Sequence, residues 1–202
     1  MDFTVTMSAT LAGRTSARTY VGTGVGVPDG HQLDLAMELV SPPEAGTPQQ
    51  VIATADQVYV RTDQAVPPTW TASPRRDPGS TSVSRDPSTV DVGFLDPATY
   101  LPTADSDYAR TVYGSGEPFD FSCETAITGP GSCEHLGLDF GAFEDFEEGF
   151  ADVTVTLDDD GRPAEIKADI QGSETGRTRT ARVRATMKLH DYGTKVTVQP
   201  PV

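Results

Sequence analysis

Residues 151–170 read ADVTVTLDDDGRPAEIKADI. Val153, Val155 and Leu157 alternate with Thr154 and Thr156. After a polar turn, Ala164, Ile166, Ala168 and Ile170 alternate with Glu165, Lys167 and Asp169. A period of two sends successive side chains to opposite sides of an extended chain, so each half reads as a strand with one dry and one wet face. Asp158 to Gly161 carry the Asp-Gly signal of a tight hairpin. The stretch predicts two antiparallel strands. The fold then turns on whether the remaining chain follows the same period.

It does at both ends. In DFTVTMSATLAG (2–13), Phe3, Val5, Met7, Ala9 and Leu11 alternate with Thr4, Thr6, Ser8 and Thr10. HQLDLAMELV (31–40) places Leu33, Leu35, Met37 and Leu39 against Asp34, Ala36 and Glu38. RTYVGTGVGV (18–27) sets Val21, Val25 and Val27 on one face and glycines on the other. TADQ (54–57) separates two further short runs, 51–53 and 58–61. Late in the chain, Ala181, Val183, Ala185, Met187 and Leu189 alternate with Arg182, Arg184, Thr186 and Lys188. No segment of comparable length repeats at 3.6. Two meanders are expected, over 3–61 and 151–199, with sequence neighbours pairing in space. Arg182 and Arg184 are expected to meet Glu165, Lys167 and Asp169 across the wet face. The closing DYGTKVTVQPPV is expected to add a last strand through Val196 and Val198, stopped by Pro200 and Pro201.

The middle, about 62–150, reads as an insertion. SPRRDPGSTSVSRDPSTVDVG (73–93) is polar and aperiodic, the signature of a long loop. Asp96-Pro97 in FLDPATYL predicts an N-cap followed by a first-turn proline, with one short turn over Ala98 to Leu101. Asp105 or Ser106 is expected to cap a second short helix running through Val112 and ending at Gly114. Phe140, Phe143, Phe146 and Phe150 are spaced by three and four among acidic residues, as in a short amphipathic helix or an acidic loop with aromatic anchors.

Composition narrows the function. The chain has 202 residues, with 15 basic against 30 acidic and a net charge of −15. Such a surface repels phosphate backbones, which sets nucleic-acid binding aside. It also gives no pull toward anionic lipid surfaces. Gly and Pro number 19 and 16, which favours turns over a helical bundle. Cys123 and Cys133 enclose a Gly- and Pro-rich loop. In an exported protein that pattern reads as one disulfide, with free thiols or a zinc site as the alternatives. Only His135 is near enough to join a zinc set, so no metal site is expected.

Catalysis finds little support. His31, His135 and His190 are far apart in sequence, and no Gly-x-Ser-x-Gly elbow is present. Gly22 to Gly26 lack the following helix that a phosphate-cradling loop requires. Three adjacent aspartates in LDDDGRP do not supply the fixed alternate ligands of a calcium loop. The expectation is a non-enzyme with no cofactor.

Five stretches, in order, resemble the LppX/LprG-type lipoproteins of the actinobacterial envelope, which are related in fold to the LolA and LolB lipoprotein carriers. They are QVYVRTD (57–63), PPTWTAS (67–73), FLDPATYL (94–101), VTLDDDGRPAEIKADI (155–170) and LHDYGTKVTVQPPV (189–202). The resemblance implies a single α+β domain over 1–202: a large curved antiparallel sheet, or half-barrel, with short helices and the long insertion covering its concave face. It implies a secreted or cell-membrane protein on the extracytoplasmic side, held by an N-terminal lipid anchor upstream of Met1. It also implies a hydrophobic cavity for a lipid or lipoglycan.

The groove between sheet and cover is expected to be lined by Met37, Leu39, Val58, Val60, Trp70, Leu95, Tyr100, Leu101, Val183 and Met187. Each of these also reads as ordinary core, and Trp70 as a loop anchor. The rival expectation is an envelope interaction or sensor module with a filled core, whose acidic segment 139–152 docks a protein partner.

Overall fold

The computed structural model describes residues 1–11, 14–27, 32–41, 48–62, 69–75, 92–102, 107–124, 132–133, 136, 138, 146–174 and 179–201. Ten strands form one open sheet: β1 Asp2–Leu11, β2 Arg14–Val27, β3 Gln32–Ser41, β4 Pro48–Ala53, β5 Gln57–Thr62, β6 Trp70–Pro74, β7 Phe119–Glu124, β8 Glu148–Leu157, β9 Pro163–Ser173 and β10 Arg179–Lys188. The spatial order is β6-β5-β4-β3-β2-β1-β10-β9-β8-β7. Every ladder is antiparallel. Two meanders run outward from a central seam, where β1 pairs β10 with Phe3 opposite Met187, Val5 opposite Ala185 and Met7 opposite Val183. Two 3-10 turns, Val92–Leu95 and Pro97–Tyr100, and one helix, α1 Asp107–Ser115, complete the described elements.

The expected large antiparallel sheet is therefore present. The hairpin that opened the reading closes on Asp158, whose backbone N–H donates to the Arg162 carbonyl at 2.7 Å, with Gly161 at φ 76°. Across the wet face Arg182 and Arg184 both reach Asp169, and Lys167 pairs with Glu165 on its own strand. Asp96 caps the second 3-10 turn, its Oδ1 accepting from the Ala98 N–H at 3.0 Å, with Pro97 next in line. The proposed caps Asp105 and Ser106 lie outside the described residues. Helix α1 runs to Ser115, one residue past the expected stop, and Gly116 at φ 69° ends it.

Three expectations are corrected. The tail forms no strand: β10 ends at Lys188, and a turn at Asp191 (φ 59°) and Gly193 (φ 81°) follows. Both sides of β10 are already taken, by β1 and β9, so no ladder is open to the tail where it leaves the sheet. Phe150 is not on a helix. It lies on the outer face of β8, exposed, whereas Phe146 is buried in the core; Phe140 and Phe143 lie outside the described residues. Finally, the span 62–150 is not all insertion. It contains the edge strands β6 and β7 and the start of β8.

On β2 the valines face outward and the glycines face the core. Val21 and Val25 are exposed, while Gly22, Gly24 and Gly26 lie opposite the buried Met37, Leu35 and Leu33 of β3. A Cβ at Gly22 would sit 2.4 Å from the Ala36 carbonyl oxygen, and one at Gly24 would sit 2.4 Å from Leu35 Cδ2. The bare backbone lets β3 crowd onto β2 on the core side. That is the packing a sheet needs in order to bend toward that side.

Candidate functional site

The sheet registers build one apolar surface in rows. One row runs Gly22, Phe3, Met187, Ile166, Val155, Phe119. The next runs Tyr20, Val5, Ala185, Ala168, Val153, Phe121. Leu33, Leu35, Val51, Ala53 and Val58 continue it across β3 to β5. All of these apart from Gly22 are buried.

What lies on this surface comes from FLDPATY. The first 3-10 turn packs on β1 and the second on β9, and Phe94, Leu95 and Tyr100 are fully buried. The segment satisfies much of its own polarity. Tyr100 OH donates to the Phe94 carbonyl at 2.8 Å, and Thr99 Oγ1 donates to the Gly93 carbonyl at 2.7 Å. Arg75, at the end of β6, ties this plug to the sheet edge. Its Nη1 donates to the Thr54 carbonyl at 2.9 Å and its Nη2 lies 3.8 Å from Asp96 Oδ2. Burial lowers the pKa of the Arg75 guanidinium from its ordinary value, and the Asp96 carboxylate acts the other way.

Helix α1 covers the β7 end. Tyr113 meets Phe119 edge-on at 5.5 Å and Tyr108 meets Phe121 at 6.0 Å. Burial, with Tyr192 adding to it, pushes the Tyr113 hydroxyl up to about 12. The β7 edge is closed by a Cys123–Cys133 disulfide and by the Cys133 N–H donating to the Glu124 carbonyl at 3.0 Å. Of the alternatives for these cysteines, the disulfide is the one formed.

Of the residues expected to line a groove, Met37, Val58, Leu95, Tyr100, Val183 and Met187 belong to a single buried cluster, with Val60 and Leu101 partly buried against it. Leu95, Tyr100, Val183 and Met187 have 0% of their surface accessible, so both the plug and the sheet beneath it are sealed from solvent at these positions. Leu39 stands opposite Tyr20 in the β2–β3 ladder; its side chain lies outside the described residues. Trp70 is corrected. It pairs with Arg61, in register with Gln50 and Ala36, on the face opposite the core, and Arg61 stacks over its ring at 5.4 Å. Phe119 and Phe121 belong to the surface but were not singled out in the sequence. The alternation in FDFSCE, buried and exposed by turns, is the signal that identifies them.

The outer face carries a groove of about 620 Å³, lined by Ser8, Glu124, Glu148, Phe150, Gln171 and Arg182 among others. Of the acidic segment 139–152, only 146–152 fall among the described residues. Among the described residues no group of three or more His, Cys, Asp or Glu is placed to hold a metal ion, and no helix is long and apolar enough to cross a membrane.

No family model and no curated protein matches the chain. Among solved structures it is similar to a DUF1329 family protein from Desulfovibrio piger, with a TM-score of 0.37 at 10% identity, over 96% of this chain and 87% of that one. It is also similar to a protein domain from Vibrio parahaemolyticus described as outer membrane lipoprotein-sorting, with a TM-score of 0.34 at 10% identity, over 96% of this chain and 87% of that one. Likeness at this distance says nothing about what this chain binds.

Proposed function

We propose that this chain is a non-enzymatic binding protein of the extracytoplasmic cell envelope that takes up a lipid or other amphiphile against the core face of its sheet. One observation carries the reading. The apolar face of a ten-stranded sheet carries a short plug, two four-residue 3-10 turns whose Phe94, Leu95 and Tyr100 are fully buried on it. A plug this short can be exchanged for an acyl chain. Moving Phe94, Leu95 and Tyr100 off the sheet exposes three large side chains at a cost of about 1.5–3 kcal/mol each, while each methylene of an incoming chain gains about 0.8 kcal/mol. A chain of roughly sixteen carbons thus outweighs the plug.

The Cys123–Cys133 disulfide supports an oxidising compartment. The ordered motifs shared with LppX/LprG-type lipoproteins support a lipid or lipoglycan ligand and an upstream lipid anchor. The groove residues are Met37, Leu39, Val58, Val60, Leu95, Tyr100, Leu101, Val183 and Met187, reached once the plug has moved.

A second reading has its own observation. The complete burial of Leu95, Tyr100, Val183 and Met187 is what a filled core looks like, and it favours an interaction module that binds partners on its outside. Native mass spectrometry of the full chain, purified without detergent and then offered palmitoyl-lysophosphatidylglycerol, separates the two. A stoichiometric adduct supports the amphiphile reading. A chain that stays bare at saturating amphiphile overturns it in favour of the module.

A further inference from the structure

We infer that the ligand of the core face carries an anionic headgroup, received by Arg14 and Arg18 where that face runs out at the β1–β2 hairpin. The inference rests on the amphiphile reading above and names the class of molecule that fits it. Along the β1–β2 ladder Val5 stands opposite Tyr20, Met7 opposite Arg18, Ala9 opposite Ser16 and Leu11 opposite Arg14. The period of two keeps all of these positions on one side of the sheet. Val5 and Tyr20 are buried, Met7, Ala9 and Arg18 are half-buried, and Ser16 and Arg14 are exposed. Met7 still packs against the core. Within a few residues the apolar surface passes into a solvent-facing rim that carries two guanidinium groups.

The charge balance makes that rim informative. Acidic residues outnumber basic ones 30 to 15, and among the described residues six other arginines are engaged by carboxylates. Arg75 is paired with Asp96, Arg110 with Asp107, Arg162 with Asp158, Arg179 with Glu174, and Arg182 and Arg184 with Asp169. Among the described residues no carboxylate pairs with Arg14 or Arg18. An arginine left open in so acidic a chain is positioned for an anion from outside, and its planar fork suits a phosphate or carboxylate. At a strand rise of about 3.4 Å per residue the two Cα atoms are about 14 Å apart. The two side chains therefore flank one headgroup, with its chain directed over Met7 toward Val5 and Val183.

The test is equilibrium dialysis of the full chain against three compounds below their micelle concentrations: palmitoyl-lysophosphatidylglycerol, the uncharged monopalmitoylglycerol, and inorganic phosphate. The anionic amphiphile is expected to bind about tenfold more tightly than the neutral one. That preference is expected to disappear in the double variant Arg14→Gln/Arg18→Gln and to persist in Arg110→Gln, a control that removes an exposed arginine on α1. Circular dichroism melts that coincide for the three proteins exclude loss of fold. Equal affinity for the two amphiphiles, or a preference that survives the double variant, overturns the rim and leaves the amphiphile reading standing. Phosphate binding as tightly as the anionic amphiphile overturns it as well, by making the arginines a free-anion site. If neither amphiphile binds, both inferences fall.

Discussion

Arg75 Nη2 lies 3.8 Å from Asp96 Oδ2, with the two side chains only 4% and 3% exposed. The pair joins the first residue after β6 to the cap of the turn that plugs the core face. Asp96 has two duties, since its other oxygen caps Ala98. Asp96→Asn keeps a competent cap but takes the carboxylate charge from beside the buried guanidinium, which is expected to lower stability by about 1–3 kcal/mol. Asp96→Ala loses the cap as well, for about a further 1 kcal/mol. Urea unfolding is expected to rank wild type, Asn, then Ala. Equal stability of the two variants would show that the cap contributes nothing.

The glycines of β2 make a graded series. At Gly22 a new Cβ meets backbone, with the Ala36 oxygen at 2.4 Å and Met37 Cα at 2.8 Å. At Gly26 the nearest atom is the flexible end of Leu33, at 3.1 Å. Backbone cannot step aside as a side-chain tip can. Gly22→Ala is therefore expected to cost about 1–3 kcal/mol, while Gly26→Ala stays within about 0.5 kcal/mol of wild type. Thermal melts of the two variants check the difference.

The same glycines show where the sequence was legible and where it was not. Alternation placed Val21 and Val25 on one face and the glycines on the other, and the structure turns the valines outward. A period of two fixes which residues share a face. It does not say which face is buried when the partner strand can fill the space above glycine with Leu35 and Met37. Trp70 failed for a related reason: its face is set by its register with Arg61, which is tertiary information. The Asp96 cap and the Asp158 hairpin were readable because their physics is local. The tail was misread because Val196 and Val198 alternate as a strand does, while β10, which they follow, is already paired on both sides. The rim at Arg14 and Arg18 needed the ladder with β1, which puts Arg18 beside Met7.

Asp169 makes stability depend on pH. The Arg182 hydrogen bond, with a smaller contribution from Arg184, holds its carboxyl below the ordinary value, against an opposing effect of burial that is second in size. A depressed folded pKa means that the stabilisation is fully present above the unfolded value, about pH 4, and is lost as pH falls through the folded value. In the double variant Arg182→Gln/Arg184→Gln that contribution is absent at every pH. The stability gap between wild type and variant, about 1 kcal/mol or less for so exposed a cluster, is expected to be constant from about pH 8 to 5 and to shrink below about pH 4. Urea midpoints across that range measure it, and a gap that widens in acid would contradict the assignment.

Phe94 offers the sharpest separation between a displaceable plug and a permanent core. It is fully buried against the sheet, and its own carbonyl is held by the Tyr100 hydroxyl, so Phe94→Ala removes a ring without removing a hydrogen bond. The truncation is expected to cost about 3–5 kcal/mol by loss of burial and creation of a cavity. On the amphiphile reading the same change makes room on the sheet that a ligand no longer has to clear, so affinity for palmitoyl-lysophosphatidylglycerol rises while stability falls. Bound amphiphile then restores part of the lost melting temperature, because anything that binds only the folded state stabilises it. On the filled-core reading stability falls and the amphiphile has no effect. Melting Phe94→Ala and wild type with and without the amphiphile distinguishes the two, because only a plug standing in the ligand's place links a weaker fold to tighter binding.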